Sequence, residues 1–329
     1  MADVEFGLLA WPQATEWPAY RDTIIAAEAA GWDSAWTWDH LLAIMGPWEQ
    51  PILEGWTTLA ALASVTRRLR LGLMVGANGF RNPGVTAKLA TTLDHVSNGR
   101  AWLGLGGAWF DREHEAFGID FGRSVGERLN WLDESVGILR RLLDGELVTH
   151  DGAHYRLREA LCRPVPVQAH LPILIGGSGP QKTLRTVARH ADGWNTSGWL
   201  RVVAERIRIL EGHCADVGRD PVEIVRTVSF PIVIRDAAGA AKARWAELIG
   251  ANGASDAGNV PHLLGSPEHV ADAIRPYVTD LGFSTVICRM PAPFDRETVE
   301  RMPEVRELLA GRATVTAATS ATGAARAGA

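Results

Sequence analysis

Two short stretches of this chain carry the residue types that chemistry needs. In the first, Trp36, Trp38, Asp39 and His40 stand almost side by side. An imidazole is the side chain best suited to moving protons near neutral pH, and a neighbouring carboxylate can fix its tautomer or accept a hydrogen bond from a bound molecule. The plain alternative is an Asp-His pair that only fastens a loop. In the second stretch, ILIGGSGP at 173–180, an apolar run enters Gly176-Gly177-Ser178-Gly179 and then a helix opening near Pro180. Glycines let successive backbone N–H groups close on an anion at a helix N-terminus, and Ser178 adds a hydroxyl. A phosphate site and a tight strand-to-helix turn explain this tetrapeptide equally well. It matches neither the triphosphate-binding loop nor the dinucleotide fingerprint.

Two further runs soften into glycine where a strand should end: LGLMVGANGF, with Gly76, Asn78 and Gly79, and LGLGGAW, with Gly104, Gly106 and Gly107. Backbone without side chains lets a flat ring lie close to the main chain. With the 176–179 turn these segments outline a crevice for a planar ring carrying a phosphate tail, although each is also an acceptable loop. Arg81, Lys88, Lys182 and Arg185 lie near these segments and have the charge to meet a phosphate, but solvated surface is the commoner place for such side chains. A metal centre is not indicated. There is no HExxH run, and the His150/His154 pair straddles a turn instead of sharing a helix face.

The elements that must position these residues follow from hydrophobic period. Apolar runs at Val4–Ala10, Ser34–Trp38, Leu69–Val75, Arg100–Leu105, Pro172–Ile175, Gly193–Asn195, Glu223–Ile234 and Thr285–Arg289 predict eight strands. Helical patterns fall between them, among them Trp17–Ala30, Trp56–Thr66, a helix opening at Pro83, Gly126–Leu143, Gln181–His190, Val202–Val217, Ala240–Leu248, Pro267–Leu281 and Arg296–Leu309. The stretch around Asp151-Gly152 reads as a hairpin inserted into this alternation. Eight strand-helix units without a doubled dinucleotide-binding half predict a closed (β/α)8 TIM barrel, an α/β fold that carries its chemistry in the loops at the strand C-terminal ends. Asp39, His40 and both glycine segments fall on that rim.

Composition narrows the partners. The 33 basic and 38 acidic residues of the 329 are dispersed, so no block of one sign offers itself to nucleic acid or to a lipid surface. A small organic molecule is the expected partner. Cys162, Cys214 and Cys288 are few, odd in number and far apart, which predicts reduced, structural thiols. An acidic start and the lack of a long apolar run predict a cytoplasmic protein. Residues 1–310 read as one barrel domain, and the small-residue segment 311–329 reads as a disordered tail.

Taken in order, GWDSAWTWDHLL, LGLMVGANGFRNPGVTAKLATTLDHVSNGRAWLGLGGAW, PILIGGSGPQKTLRTVARHADGWN and LLGSPEHVADAI resemble the luciferase-like monooxygenase superfamily, and within it the branch that uses the deazaflavin F420. The resemblance runs from about Phe6 to Leu309. It implies a barrel with loop insertions, commonly a homodimer, holding the cofactor ring over the mouth. It implies a non-prolyl cis peptide at Met74-Val75 behind that ring. The cofactor contacts it implies are Asp39, Met74, Val75, Gly76, Gly106, Gly107, Ala108, Trp109 and the turn Gly176, Gly177, Ser178, Gly179, with His40 and Asp39 as the catalytic pair. Gly107 departs from the pattern, because a sugar-phosphate dehydrogenase of this group has a catalytic Glu there; glucose-6-phosphate oxidation is therefore not expected. Hydride transfer between F420 and a small organic substrate is the leading expectation. Oxygenation with reduced FMN is the alternative, and a barrel that binds without catalysis is the third reading.

Overall fold

The computed structural model describes residues 4–255 and 260–324, with side chains through Gly311. Its strands are β1 Glu5–Ala10, β2 Ser34–Thr37, β3 Arg70–Leu73, β4 Gly76–Ala77, β5 Ala101–Gly106, β6 Leu147–Asp151, β7 Arg156–Leu161, β8 Ile173–Gly176, β9 Gly193–Thr196, β10 Val225–Ile234, β11 Leu263–Gly265 and β12 Thr285–Met290. Eight of them pair in parallel in the order β1-β2-β3-β5-β8-β9-β10-β12, and β12 returns to β1 with Glu5 opposite Thr285. The barrel is thus closed, as the eight apolar runs predict. Strands covered on both faces show continuous burial instead of alternation, and β12 and β10 follow that rule.

The helices are α1 Trp17–Ala29, α2 Gly55–Val65, α3 Pro83–Ser97, α4 Asp111–Phe117, α5 Val125–Leu143, α6 Thr183–His190, α7 Leu200–Val217, α8 Ala238–Ala251, α9 Pro267–Thr279 and α10 Arg296–Ala324. Their ends are chemically specified. Asn82 accepts a hydrogen bond from the Gly84 N–H ahead of Pro83, and α3 stops at Asn98 in the left-handed region. Ser124 accepts from the Glu127 N–H, the spacing of a capping box, and α5 then buries Trp131, Leu132, Val136 and Leu139 on one face. Each such leucine contributes about 2 kcal/mol by leaving water. The last helix carries its backbone to Ala324, into the small-residue segment, of which 325–329 lie outside the described residues.

Three insertions interrupt the strand-helix alternation. The hairpin β6–β7 is present as expected, with its turn shifted so that Asp151 pairs with Arg156. Glu134 of α5 pins it, accepting from the Tyr155 N–H at 2.8 Å and pairing with His150. The short helix α4 has no counterpart in the sequence reading. The third insertion adds a strand to that reading. The run Ala240–Leu248 forms α8 as expected, and α8 is followed by β11, which pairs with the tip of β10 (Ile232 opposite Leu263), and only then by α9. Helix α8 and β11 together form a structure standing over the barrel mouth, closed at its base by the Arg235 N–H to the Gly265 carbonyl at 2.9 Å. Asp295, at the foot of α10, ties it down by accepting from Arg235 and from Arg244 of α8.

Apolar packing splits accordingly. The larger cluster, rich in Leu, Ile, Val and Ala, fills the space between strands and outer helices. A second cluster at the mouth contains Trp11, Trp36, Trp38, Met74 and, from α8, Trp245, Leu248 and Ile249. The three cysteines are free and buried. No helix among the described residues is long and apolar enough to cross a membrane, and none of their His, Cys, Asp and Glu side chains form a group of three or more able to hold a metal ion.

Candidate functional site

At the end of β2 the chain leaves the barrel through Trp38, Asp39 and His40, and the two polar side chains part. Asp39 is buried. Its Oδ2 accepts from Arg81 Nη1 at 2.7 Å and from the Ala77 N–H at 3.0 Å, and its Oδ1 accepts from Arg81 Nη2 at 3.0 Å. Burial pushes this carboxyl above its ordinary range, while the bidentate guanidinium and the Ala77 N–H pull the other way. Arg81 also reaches Glu54, whose carboxylate caps α2. Every strong partner of Asp39 is therefore internal, and its work is to hold the segment after β3 against β2.

His40 goes to the other side. Its Nδ1 lies 2.8 Å from Glu113 Oε1, and Glu113 Oε2 accepts from the Leu41 N–H at 2.8 Å. Glu113 is buried on α4 and is absent from the sequence-derived set. An ionised carboxylate accepts only, so the contact fixes the proton on Nδ1 and presents Nε2 as the acceptor or donor face. Nε2 makes no hydrogen bond among the described residues. Edge-on rings of Trp38, Trp109 and Phe110 surround the imidazole at 6.2, 5.6 and 6.3 Å. Trp109 is 61% exposed, so a broad indole face beside His40 is open to a ligand.

The peptide between Met74 and Val75 is cis. Met74 faces the mouth cavity, while Val75 packs against the next two strands. A Cβ on Gly106 would come within 2.7 Å of Val75, and one on Gly176 within 2.8 Å; on Gly104 it would strike the Leu73 carbonyl. These three glycines are required by close packing of backbone on the Val75 bulge. Gly107 instead faces Leu129 of α5, and Ala108 adopts a left-handed backbone with φ of 58° that swings Trp109 back toward His40.

At the fifth barrel strand, Gly177 takes a φ of 120°, its N–H donates to the Asn195 carbonyl at 3.1 Å, and its carbonyl accepts from Trp194 Nε1 at 2.8 Å. Ser178 Oγ lies 2.8 Å from Thr196 Oγ1. The Ser178 and Gly179 N–H groups make no hydrogen bond among the described residues, so half of the turn is structural and half is open to an acceptor. Of the cations near these segments, Lys182 is engaged on the Gly126 carbonyl and Asn130, and Lys88 on the Arg163 carbonyl.

Between β2, β3, β9, β10 and α8 lies a cavity of about 460 Å³. Trp11, Trp38, Met74 and Trp245 form its apolar walls, and Asn195, Ser229 and Arg289 bring polar groups. His40 does not line it; Trp38 stands between. The rim thus holds an apolar chamber, a backbone-rich crevice and an imidazole–carboxylate pair within one loop cluster.

Known proteins resemble this chain in sequence or in fold. An uncharacterised protein of Mycobacterium tuberculosis is 32% identical over 237 residues, which span 72% of this chain and 77% of that one. A phthiodiolone/phenolphthiodiolone dimycocerosates ketoreductase of Mycobacterium sp. (strain JLS) is 34% identical over 236 residues, 65% of this chain and only 60% of the relative's length. An F420-dependent secondary alcohol dehydrogenase in complex with an F420-acetone adduct has the same fold, with a TM-score of 0.80 at 18% identity, covering 93% of this chain and 99% of that one. So does a monooxygenase from Streptomyces bottropensis, with a TM-score of 0.77 at 22% identity over 94% of this chain and 99% of that one. The family model for luciferase-like monooxygenases matches residues 5–285, and with the closed parallel barrel it places this chain in that family.

Proposed function

We propose that this protein is an F420-linked oxidoreductase interconverting a small ketone and its secondary alcohol. The observation that carries the reading is the pair at the mouth formed by His40 and the buried Glu113. Adding a hydride to a carbonyl carbon leaves an oxygen that needs a proton, and the reverse reaction needs that proton removed. A histidine locked in one tautomer by a carboxylate supplies a single, aimed nitrogen for this purpose, with a contribution of roughly 10²–10⁴-fold. The names of a ketoreductase relative and of an alcohol dehydrogenase of the same fold agree with the carbonyl class.

The residues present fit the cofactor. The open N–H groups of Ser178 and Gly179, with the Ser178 and Thr196 hydroxyls, suit a phosphate. The exposed face of Trp109 and the thioether of Met74 suit a planar ring. Asp39, Gly76, Gly106, Gly107, Ala108 and Gly177 then serve by shaping the crevice. When bound, a deazaflavin supplies or accepts the hydride at its C5. The chain's own residues orient the substrate, exclude water through the tryptophan walls and move the proton at the carbonyl oxygen through His40 Nε2.

The family name and the Streptomyces structure favour a second reading, oxygenation with reduced FMN. Titrating the protein with F420 and with FMN, read by cofactor fluorescence, separates the two. Binding of F420 followed by its reduction on addition of 2-propanol is the expected result; tight binding of FMN alone reverses the assignment.

A further inference from the structure

The loop after β2 runs from His40 to Gln50 without a helix or strand of its own. Near His40 it is held by Glu113, which accepts from the Leu41 N–H. Farther on, the hold comes from Gln13, a wholly buried side chain of the loop after β1. Gln13 Oε1 accepts from the Ile44 N–H at 3.0 Å and the Met45 N–H at 3.2 Å, and its Nε2 donates to the Met45 carbonyl at 2.8 Å and to Asn252 Oδ1 at 3.5 Å. Both acceptor and both donor positions of the amide are thereby used. Asn252, equally buried at the end of α8, donates in turn to the Leu248 and Ala292 carbonyls, and its own carbonyl accepts from Gln50 Nε2 at 2.7 Å. A Cβ on Gly46 would strike that carbonyl, so the two backbones meet without a side chain between them.

One amide pair therefore joins the loops after β1, β2 and β12 to the end of α8. The walls of the mouth cavity hang on it. Trp11 stands just before Gln13, Ile249 just before Asn252, and Ile44 and Met45 are the residues whose backbone the Gln13 amide holds; all four line the cavity. Apolar contacts alone let side chains slide past one another, whereas a buried amide tolerates one geometry, because each lost partner leaves a polar group unsatisfied away from water. We propose that Gln13 and Asn252 are positioning residues: their amide pair fixes the width of the mouth cavity and thereby selects which ketone or alcohol fits, leaving the proton step at His40 to the other end of the loop. This rests on the carbonyl reading above and adds the residues that set its selectivity.

Gln13→Met in the full-length protein keeps the length of the side chain and removes the hydrogen bonds to Ile44, Met45 and Asn252. Hydrogen–deuterium exchange across residues 41–50 is measured beside kcat and KM for the F420-dependent oxidation of 2-propanol and of the bulkier cyclohexanol. The Ile44 and Met45 amides should exchange about ten-fold faster or more. The preference between the two alcohols should shift about five-fold or more through KM, while kcat for 2-propanol keeps the pH profile of the wild type. Melting temperatures are read first. Gln50→Ala, which removes one bond at the edge of the network, gives a smaller shift of the same kind and takes over if Gln13→Met does not fold. Wild-type exchange rates in a folded variant overturn the proposal, as does an unchanged preference or a loss confined to kcat. A wild type without F420-dependent turnover defeats the carbonyl reading alone; the amide pair then stands or falls on the exchange rates, which need neither cofactor nor substrate.

Discussion

Asp39 and His40 are adjacent in sequence and opposite in fate. Asp39 turns into the barrel wall, where Arg81 grips both oxygens and the Ala77 N–H adds a third hydrogen bond. His40 turns toward α4, where Glu113 takes one ring nitrogen and leaves the other without a partner among the described residues. Two carboxylate-centred pairs thus sit on one loop, and only one has a free end. A polar group whose every bond is internal holds structure, whereas a group held at one end only is prepared to react. The difference teaches that proximity to the rim does not by itself make a residue part of the chemistry.

The comparison breaks first at His40. His40→Asn should lower kcat by roughly 10²–10⁴-fold with cofactor Kd changed less than about three-fold. Single-turnover rates at saturating cofactor measure it, and an unchanged rate would remove His40 from the reaction. Glu113→Gln keeps a hydrogen-bonding group but no longer enforces the tautomer, so kcat should fall by about ten-fold or more with KM little altered.

Asp39→Asn should do the opposite. It leaves the half-buried Arg81 with Glu54 as its remaining charge partner and costs roughly 1–3 kcal/mol in urea unfolding, with loss of cofactor affinity following from a loosened β3 end. Equal stability of the variant and the wild type would show that the pair is not what holds the bulge.

These assignments bear on what the sequence discloses. Eight apolar runs with helices between them state the barrel plainly, because strands buried on both faces need uninterrupted hydrophobic residues and nothing else in the chain supplies that rhythm. The glycines were legible as special positions but not as to cause: Gly106 and Gly176 accommodate Val75 from a neighbouring strand, a contact between residues far apart in sequence. Glu113 was hidden because DREHEAF is too short and too charged to show a helical period. The one signal was an acid–imidazole pair, Glu113-His114, a few residues beyond a strand end. The strand β11 was missed for a similar reason, since three residues are too few to show a period.

A smaller effect comes from the bulge itself. Gly176→Ala puts a methyl group 2.8 Å from Val75, and overpacking of this kind costs about 1–3 kcal/mol. Thermal unfolding reads it, and restoration of stability by adding Val75→Ala would confirm the contact.

The smallest effect concerns the residue next to Glu113. His114 lies between Phe80 and Phe121, with Nε2 buried and unpartnered, and burial holds its pKa below the ordinary histidine value of 6.5. The unfolded chain therefore takes up a proton before the folded one does. Stability from this group is complete above about pH 6.5 and declines as the pH falls through that value toward the lower folded one. Urea midpoints at pH 7.5 and 5.5 should differ in that direction, and His114→Phe should remove part of the slope.

The hydrogen bond from Arg235 to Gly265 has a consequence for how such a protein diversifies. The chain departs from the barrel and rejoins it at neighbouring points, so everything between them is a detachable chapter whose length and wording are independent of the register of the eight strands. Exchange of that chapter for another would redraw the range of molecules admitted at the mouth while the imidazole, its carboxylate and the glycine turn at 176–179, which belong to other loops, stayed where they are.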